Sequence, residues 1–372
     1  MSSSKHVLNW TSLLVAIPVG CAASLVTLGF RQLIELINQL LFHSDRDITV
    51  AVTAWPWFSW PLLVGAGGVI AGFFLRYATS LERQQTSKTD YLEVINARLD
   101  AVPTKTSLFR ALSSIASIGS GASVGKEGPM VQLSALCGSL LGRFCFKSTA
   151  LSNSEIVAMA AAAGLASVYH APLASAIFVA EIAFGITALQ RMIPLIIAAA
   201  TAVMTMWSLG YRNALYPFVE AQFQLSPTTL LLTVAVGLLA GLLGWAMLTL
   251  IGRSRRLFAR VTNLPLRLGL GGALVGALAI VSTDILGNGY EVIVNIMAGR
   301  YLLPALALLL VLKMAATALS VGSNAVGGCL PRRCWWVRCW GLSSPRWRCR
   351  RGCRPAMRCC SPWWVWRRCW RR

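Results

Sequence analysis

Lys126 and Glu127 stand side by side between two apolar runs, Ala111 to Gly125 and Gly128 to Gly142, each of 15 uncharged residues. A helix of that length is roughly 22 Å long at about 1.5 Å per residue, against a hydrocarbon layer of about 30 Å. Neither run crosses a membrane alone, so GSGASVGKEGPM (Gly119 to Met130) reads as a break between two half-helices that meet inside the membrane. Pro129 is expected at the first position of the second half-helix, where its missing N–H costs nothing. That puts Glu127 at or just before a helix N-terminus, where free backbone N–H groups and the positive end of the helix dipole make an anion site. Glu127 would be a tethered anion there, with Gly125, Lys126, Gly128, Pro129 and Met130 forming the site around it.

Holding an ionised carboxylate at the membrane midplane costs about 2.5 to 3.5 kcal/mol, while a helix N-terminus returns about 0.3 to 1 and at best about 2. Further backbone donors, water or protonation must supply the rest. Occupancy of the site by the carboxylate is therefore expected to depend on pH and on competing anions, which is the physical content of a gate. An N-cap with no role in transport is the plainer alternative. Lys126 either raises the local potential for anions, pairs with Glu127, or snorkels towards the interface. Gly125 and Gly128 give the turn its backbone freedom.

These residues need a scaffold of membrane helices, and the composition provides for one. The 372 residues are 56% hydrophobic and 13% charged, with a mean hydropathy of +0.63, a balance that excludes an ordinary soluble domain. Uncharged runs at 6–30, 48–75, 156–180, 192–211 and 221–252 are each long enough to cross. The first is too long for a short cleavable signal peptide and is followed by further spans. The fold class expected is all-α and polytopic, with broken half-helices.

Along the chain, residues 1–10 are a polar lead and 11–40 read as one long helix whose last turns emerge from the membrane. Residues 44–47 read as a charged loop. Trp55, Trp57 and Trp60 are expected either at the membrane interface or packed in the core. From Thr79 to Ser107 the chain turns polar and reads as a surface loop with a short helix. Ser152–Gly185 carries MAAAAGLAS, a small-residue face suited to close helix packing in lipid. His170 is able to titrate, although a satisfied packing histidine is the plainer reading, and Glu181 reads as a structural or capping carboxylate. Cys21, Cys137 and Cys145 sit on apolar runs and read as core. No Ser-His-Asp set, metal-ligand cluster or phosphate loop is arranged for catalysis, so an enzyme reading, a cofactor or a metal has no residues to stand on.

An internal repeat is visible. PLLVGAGGVIAGFF (Pro61–Phe74) and PLRLGLGGALVGAL (Pro265–Leu278) share Pro, Leu and four Gly at identical spacing, 204 residues apart. GSGASVG (Gly119–Gly125) is echoed by GSNAVGG (Gly322–Gly328) at an offset of 203. Two matches at nearly one offset point to a duplicated transporter, in which ion sites form at the repeat interface. The first repeat spans about 11–211 and the start of the second about 221–328.

GKEGP after a Gly/Ser-rich turn, together with YHAPLASAIFVAE (Tyr169–Glu181), resembles the signatures of the ClC chloride channels and chloride/proton antiporters, over roughly residues 10–328. The resemblance implies that Glu127 is the gate whose carboxylate competes with chloride, that the chain is a homodimer in the bacterial inner membrane, and that its inverted repeat forms the pore. In the family a Gly-Ser-Gly-Ile-Pro turn contributes a serine to the central chloride site; SKTDY (Ser87–Tyr91) stands there instead, leaving Ser87 or Thr89 as weak candidates or as parts of a solvated loop. Proton-coupled members of the family have a second carboxylate where this chain has Ile182, which favours passive chloride conduction over exchange.

The second repeat is expected to present its own half-helix after Gly327 and Gly328, in the family a Gly-x-Phe-x-Pro turn whose amides bind chloride. Residues 329–372 hold 13 Arg, eight Trp, eight Cys and no Asp or Glu, so +13 of the formal charge of +21 belongs to this tail and +8 to the rest. The tail has neither helix nor strand periodicity and no zinc spacing. Trp, Arg and Cys together are what a GC-rich gene gives out of frame, so a frameshift near residue 329 and an incomplete second repeat are the expectation, with a basic membrane-surface or RNA-binding tail as the rival. With the basic excess concentrated there, a nucleic-acid partner for the whole protein has no basis; chloride and membrane lipid are the partners expected.

Overall fold

A Schellman-type helix end recurs 203 residues apart and organises the architecture. The computed structural model describes residues 10–42, 48–84, 91–96, 101–147, 151–184, 191–212 and 226–327. Ser87, Thr89, Gly328, the charged loop 44–47 and the tail 329–372 lie outside the described residues.

The described residues are helical, without strands. In chain order the helices are α1 (Trp10–Phe42), α2 (Ile48–Ala51), α3 (Trp60–Gln84), α4 (Tyr91–Asn96), α5 (Thr104–Gly119), α6 (Glu127–Phe144), α7 (Asn153–Tyr169), α8 (Pro172–Phe184), α9 (Met192–Ser208), α10 (Pro227–Phe258), α11 (Leu264–Ala279), α12 (Tyr290–Met297) and α13 (Leu303–Gly322). Four of them are long and apolar enough to cross a membrane: α1, α3, α10 and α13. Long spans and short pairs joined by breaks are what a polytopic protein with half-helices requires.

α3 and α11 cross antiparallel as each other's images. A Cβ on Gly72 would strike Pro265 and one on Gly276 would strike Pro61; one on Gly68 would strike the Leu268 carbonyl and one on Gly272 the Val64 carbonyl. Residues 204 apart exchange places across this contact, the isologous pattern of a two-fold axis. Only glycine lets the two backbones approach so closely, which is why the glycine spacing recurs.

The helix ends repeat as closely. At the end of α5, Gly121 N–H donates to Ile118 at 3.0 Å and Ala122 N–H to Ser117 at 2.9 Å; at the end of α13, Asn324 N–H donates to Val321 at 3.3 Å and Ala325 N–H to Ser320 at 3.0 Å. Gly121 (φ 106°) and Asn324 (φ 80°) occupy the left-handed C′ position, the one glycine fills most readily and asparagine next. The Ser120 side chain packs against Gly67 and Ser323 against Gly271, again one repeat apart.

Several sequence expectations are corrected. The run 156–180 is not one span: His170 takes a left-handed conformation (φ 53°) and Pro172 opens α8, splitting it into helices of 17 and 13 residues. Within Thr79–Ser107 the expected short helix is α4, while the described ends are helical rather than loop, since α3 runs to Gln84, α5 begins at Thr104, and Thr106 and Ser107 are buried. Both alternatives for the tryptophans occur: Trp57 is 61% exposed, whereas Trp60 is packed in the core with its indole donating to the Trp55 carbonyl at 3.0 Å. Cys145 is exposed just beyond α6, not in the core.

Met159–Ala163 and Gly164 are buried inside the chain by α1, α6 and α9, so the small-residue face serves intramolecular packing. α7 itself begins with a capping box, Ser152 and Glu155 satisfying each other's backbone N–H groups. α10 differs from the rest. Of its 32 residues only Ser254 and Phe258 are buried, and its leucines from Leu230 to Leu242 are exposed.

Candidate functional site

The break expected between the half-helices is present. α5 ends at Gly119, residues 120–126 are non-helical, and α6 starts at Glu127 with Lys126 as its N-cap. The 16 residues of α5 and 18 of α6 give lengths of about 24 and 27 Å at about 1.5 Å per residue, each short of a full crossing.

Glu127 is the first residue of α6 and is partly buried. Its Oε1 accepts hydrogen bonds from the Asn288 side-chain amide at 3.0 Å and from the Tyr290 hydroxyl at 2.9 Å. Its Oε2 turns back over Gly125, where a Cβ would strike it, so a side chain at position 125 would expel the carboxylate from this pose. Two hydrogen bonds to a charged acceptor contribute about 1.5 to 3 kcal/mol each, the further donors that the dipole alone could not replace.

The other predicted residues fall around this carboxylate with two adjustments. Pro129 is the third residue of α6 and not the first; it still costs the helix no bond, because the first four N–H groups have no intrahelical partner. The Met130 N–H donates to the Lys126 carbonyl at 3.3 Å and is thereby committed to the helix, while Met130 itself is buried. The amides that open α6 are those of Glu127 and Gly128. Lys126 extends over the Tyr290 ring, its Nζ 5.2 Å from the centroid, a cation–π arrangement that places positive charge beside the site.

The second half of the chain meets the first at this point. The Gly287 N–H donates to the Gly121 carbonyl at 3.3 Å, and the Ser123 N–H donates to the Ser320 hydroxyl at 3.2 Å. The Ser123 hydroxyl is 3.1 Å from that of Thr317. A Cβ on Gly327, a weak candidate from sequence, would meet Val124 and the Gly125 carbonyl, so the end of α13 abuts the first turn. His170 is satisfied, its Nδ1 accepting from the Trp207 indole at 3.2 Å. Glu181 is exposed on α8 beside Ile182.

Asn288, Tyr290 and Lys313 escaped the sequence reading. Asn288 and Tyr290 lie in GNGY, where Gly287 (φ 60°) and Gly289 (φ 85°) bend the chain into α12; the paired glycines signalled a corner but not what it faces. Lys313 is the sole charge of α13, and a cation inside an apolar span is itself a signal of function or pairing.

The chain has relatives among known proteins. A family model described as voltage gated chloride channel matches residues 67–331. The chain belongs to the ClC family. Its relatives are of the ClcB type: a ClcB-like protein of Ralstonia nicotianae is 41% identical over 316 residues, covering 83% of this chain and 73% of that one. The voltage-gated ClC-type chloride channel ClcB of Citrobacter koseri is 32% identical over 325 residues, 85% of this chain and 76% of that one. Among solved structures, a slow cyanobacterial Cl⁻/H⁺ antiporter matches with a TM-score of 0.68 at 20% identity, covering 85% of this chain and 75% of that one. A CLC-type fluoride/proton antiporter matches with a TM-score of 0.69 at 20% identity, covering 88% and 78%. At that identity the structural likeness concerns the fold, which in this chain is the all-α ClC architecture of a membrane protein.

Proposed function

We propose that this ClC-family chain conducts chloride across the bacterial inner membrane and that the Glu127 carboxylate is its gate. The observation that carries the reading is the pose of Glu127: an acid at the start of a half-helix, held by two hydrogen bonds from the opposite repeat and folded back over Gly125. An anion of similar demand competes for the same end of α6, so protonation or displacement of the carboxylate frees the site. The amides of Glu127 and Gly128 are the donors on this side, and Lys126 adds positive potential. Chloride is the transported ligand, with no cofactor or metal and no catalysed reaction.

Ile182 supports conduction without proton coupling, because an isoleucine transfers no proton. The antiporter neighbours support a second reading, chloride/proton exchange on the same gate. A homodimer is part of the proposal, with the exposed apolar residues Leu173, Ile177 and Phe178 of α8 as the covered face; cross-linking in native membranes tests it.

Reconstituted chain in chloride-loaded vesicles, with Glu127→Ala beside it, tests the function. Chloride efflux that rises and loses its pH dependence in the variant supports the gate. Proton movement that accompanies the flux favours exchange. Vesicles that leak no more than empty ones favour an inactive membrane fragment.

A further inference from the structure

The segment that reaches Glu127 is held at several points, and one of them is a cation. Residues 280–289 connect α11 to α12 through a short 3-10 turn, Thr283–Ile285, and the positive-φ glycines Gly287 and Gly289. Three successive carbonyls of this corner turn towards one cation: Lys313 Nζ donates to Ile285 at 2.8 Å, to Gly287 at 3.0 Å and, more weakly, to Leu286 at 3.4 Å. The three protons of the ammonium thus meet three backbone acceptors, while the Asp284 carboxylate acts on it through space without forming an ion pair. Three aligned carbonyl dipoles repel one another unless a cation joins them, and removing it from an apolar span leaves them unpaired.

The repeat provides an independent comparison. Arg110 stands 203 residues before Lys313, the offset that relates α5 to α13, and Glu82 stands 204 before Leu286, the offset that relates α3 to α11. In the first half Arg110 donates to both Glu82 oxygens, at 3.0 and 3.1 Å, tying α5 to the end of α3. In the second half the position of that acid is Leu286, and the cation takes the main chain instead. The anchor is kept while its acceptor moves onto the backbone of the corner that supplies Asn288 and Tyr290.

We propose that Lys313 is a positioning residue for the gate: by gathering the carbonyls of Ile285–Gly287 it fixes the corner at which Asn288 and Tyr290 grip Glu127, and so sets how strongly chloride must compete. The inference rests on the gating role of Glu127. The Tyr301 hydroxyl, donating to Asp284 at 2.8 Å, braces the start of the same segment, and the Gly121 carbonyl its middle; neither reaches the three carbonyls that Lys313 holds.

Chloride titration calorimetry and hydrogen–deuterium exchange on the purified full chain test it. In Lys313→Met the amides of residues 286–293 are expected to exchange about tenfold faster and chloride to bind about tenfold tighter, because the carboxylate is held less firmly. Lys313→Arg retains a donor fork and is expected to restore protection to within about threefold of wild type. In a Glu127→Gln background, Lys313→Met is expected to leave chloride affinity within about twofold. Loss of chloride affinity by the same factor with and without Glu127 would overturn the proposal, since Lys313 would then act as a charge that attracts the anion. Where Lys313→Met does not fold, Lys313→Gln takes its place with the same expected direction. Glu127→Gln alone tests the gate: unchanged chloride affinity there overturns the gating role, whereas changed affinity there with an unresponsive Lys313→Met overturns only the positioning role.

Discussion

The turn after α5 and the turn after α13 share a backbone and differ in charge. Both end a helix with the same two hydrogen bonds and a left-handed residue, and both seat a serine against a glycine of the crossing pair α3 and α11. After the first turn come Lys126 and Glu127; after the second comes Gly327, packed on Val124 and the Gly125 carbonyl. The symmetric parts are those where backbone meets backbone, and the asymmetric parts are those that surround the Glu127 carboxylate. Duplication gives this protein its frame, and departures from duplication give it a site: an acid from one half, an amide and a phenol from the other.

Variants that strike the asymmetric parts should alter chloride handling, while variants at matched symmetric positions should cost both halves alike. The largest effect is expected for Glu127→Ala. It removes an acceptor of two charge-assisted hydrogen bonds of about 1.5 to 3 kcal/mol each, so chloride affinity, read by calorimetry, should rise on the order of a hundredfold. An unaltered affinity would place the carboxylate outside the anion's path.

Next come Asn288→Ala and Tyr290→Phe, each removing one donor to Oε1. Either should tighten chloride about tenfold, and each should become silent once Glu127 is replaced, as a double-mutant cycle would show. An additive pair would mean that the two donors act on something other than the carboxylate.

Gly72→Ala and Gly276→Ala press a methyl into opposing backbone at equivalent points of the two-fold contact. Each is expected to cost about 1 to 3 kcal/mol, and the two should lower thermal stability in detergent by similar amounts. Clearly unequal losses would break the symmetry argument at its strongest contact. The smallest effects belong to the left-handed cap. Gly121→Ala should cost about 1 to 2 kcal/mol, while Asn324→Gly should change stability by only a few tenths. A neutral Gly121→Ala would show that the first turn tolerates a backbone the second does not need.

The tail 329–372 poses a question at the level of the gene. Reading the locus in its other two frames should restore an apolar run with Gly-x-Phe-x-Pro after Gly328; its absence from both would leave the basic-tail reading standing.

Much of the frame was legible because it is written in local chemistry. Fifteen-residue apolar runs on either side of a charged pair cannot span a bilayer, so the break at Gly119–Lys126 followed from length alone. Glycine and proline recurring at one offset announced the repeat, since close helix crossing admits few other residues. The split at His170 was harder to see, because Pro172 is as compatible with a kinked span as with a new helix. Exposure followed composition poorly for Cys145, which lies on the surface just beyond the end of α6.

What the sequence determined by itself, then, was the membrane class, the duplicated half-helix plan and Glu127 as the acid at a helix start. Each rests on spacing, charge and the fixed dimensions of helix and bilayer. Only the tertiary structure decided who holds that acid. Asn288 and Tyr290 are 161 and 163 residues away, and Lys313 acts on them through main-chain carbonyls that no side-chain pattern encodes. Hydrogen bonds between distant segments depend on how the halves dock, and docking is a property of packed surfaces, not of any one stretch of chain.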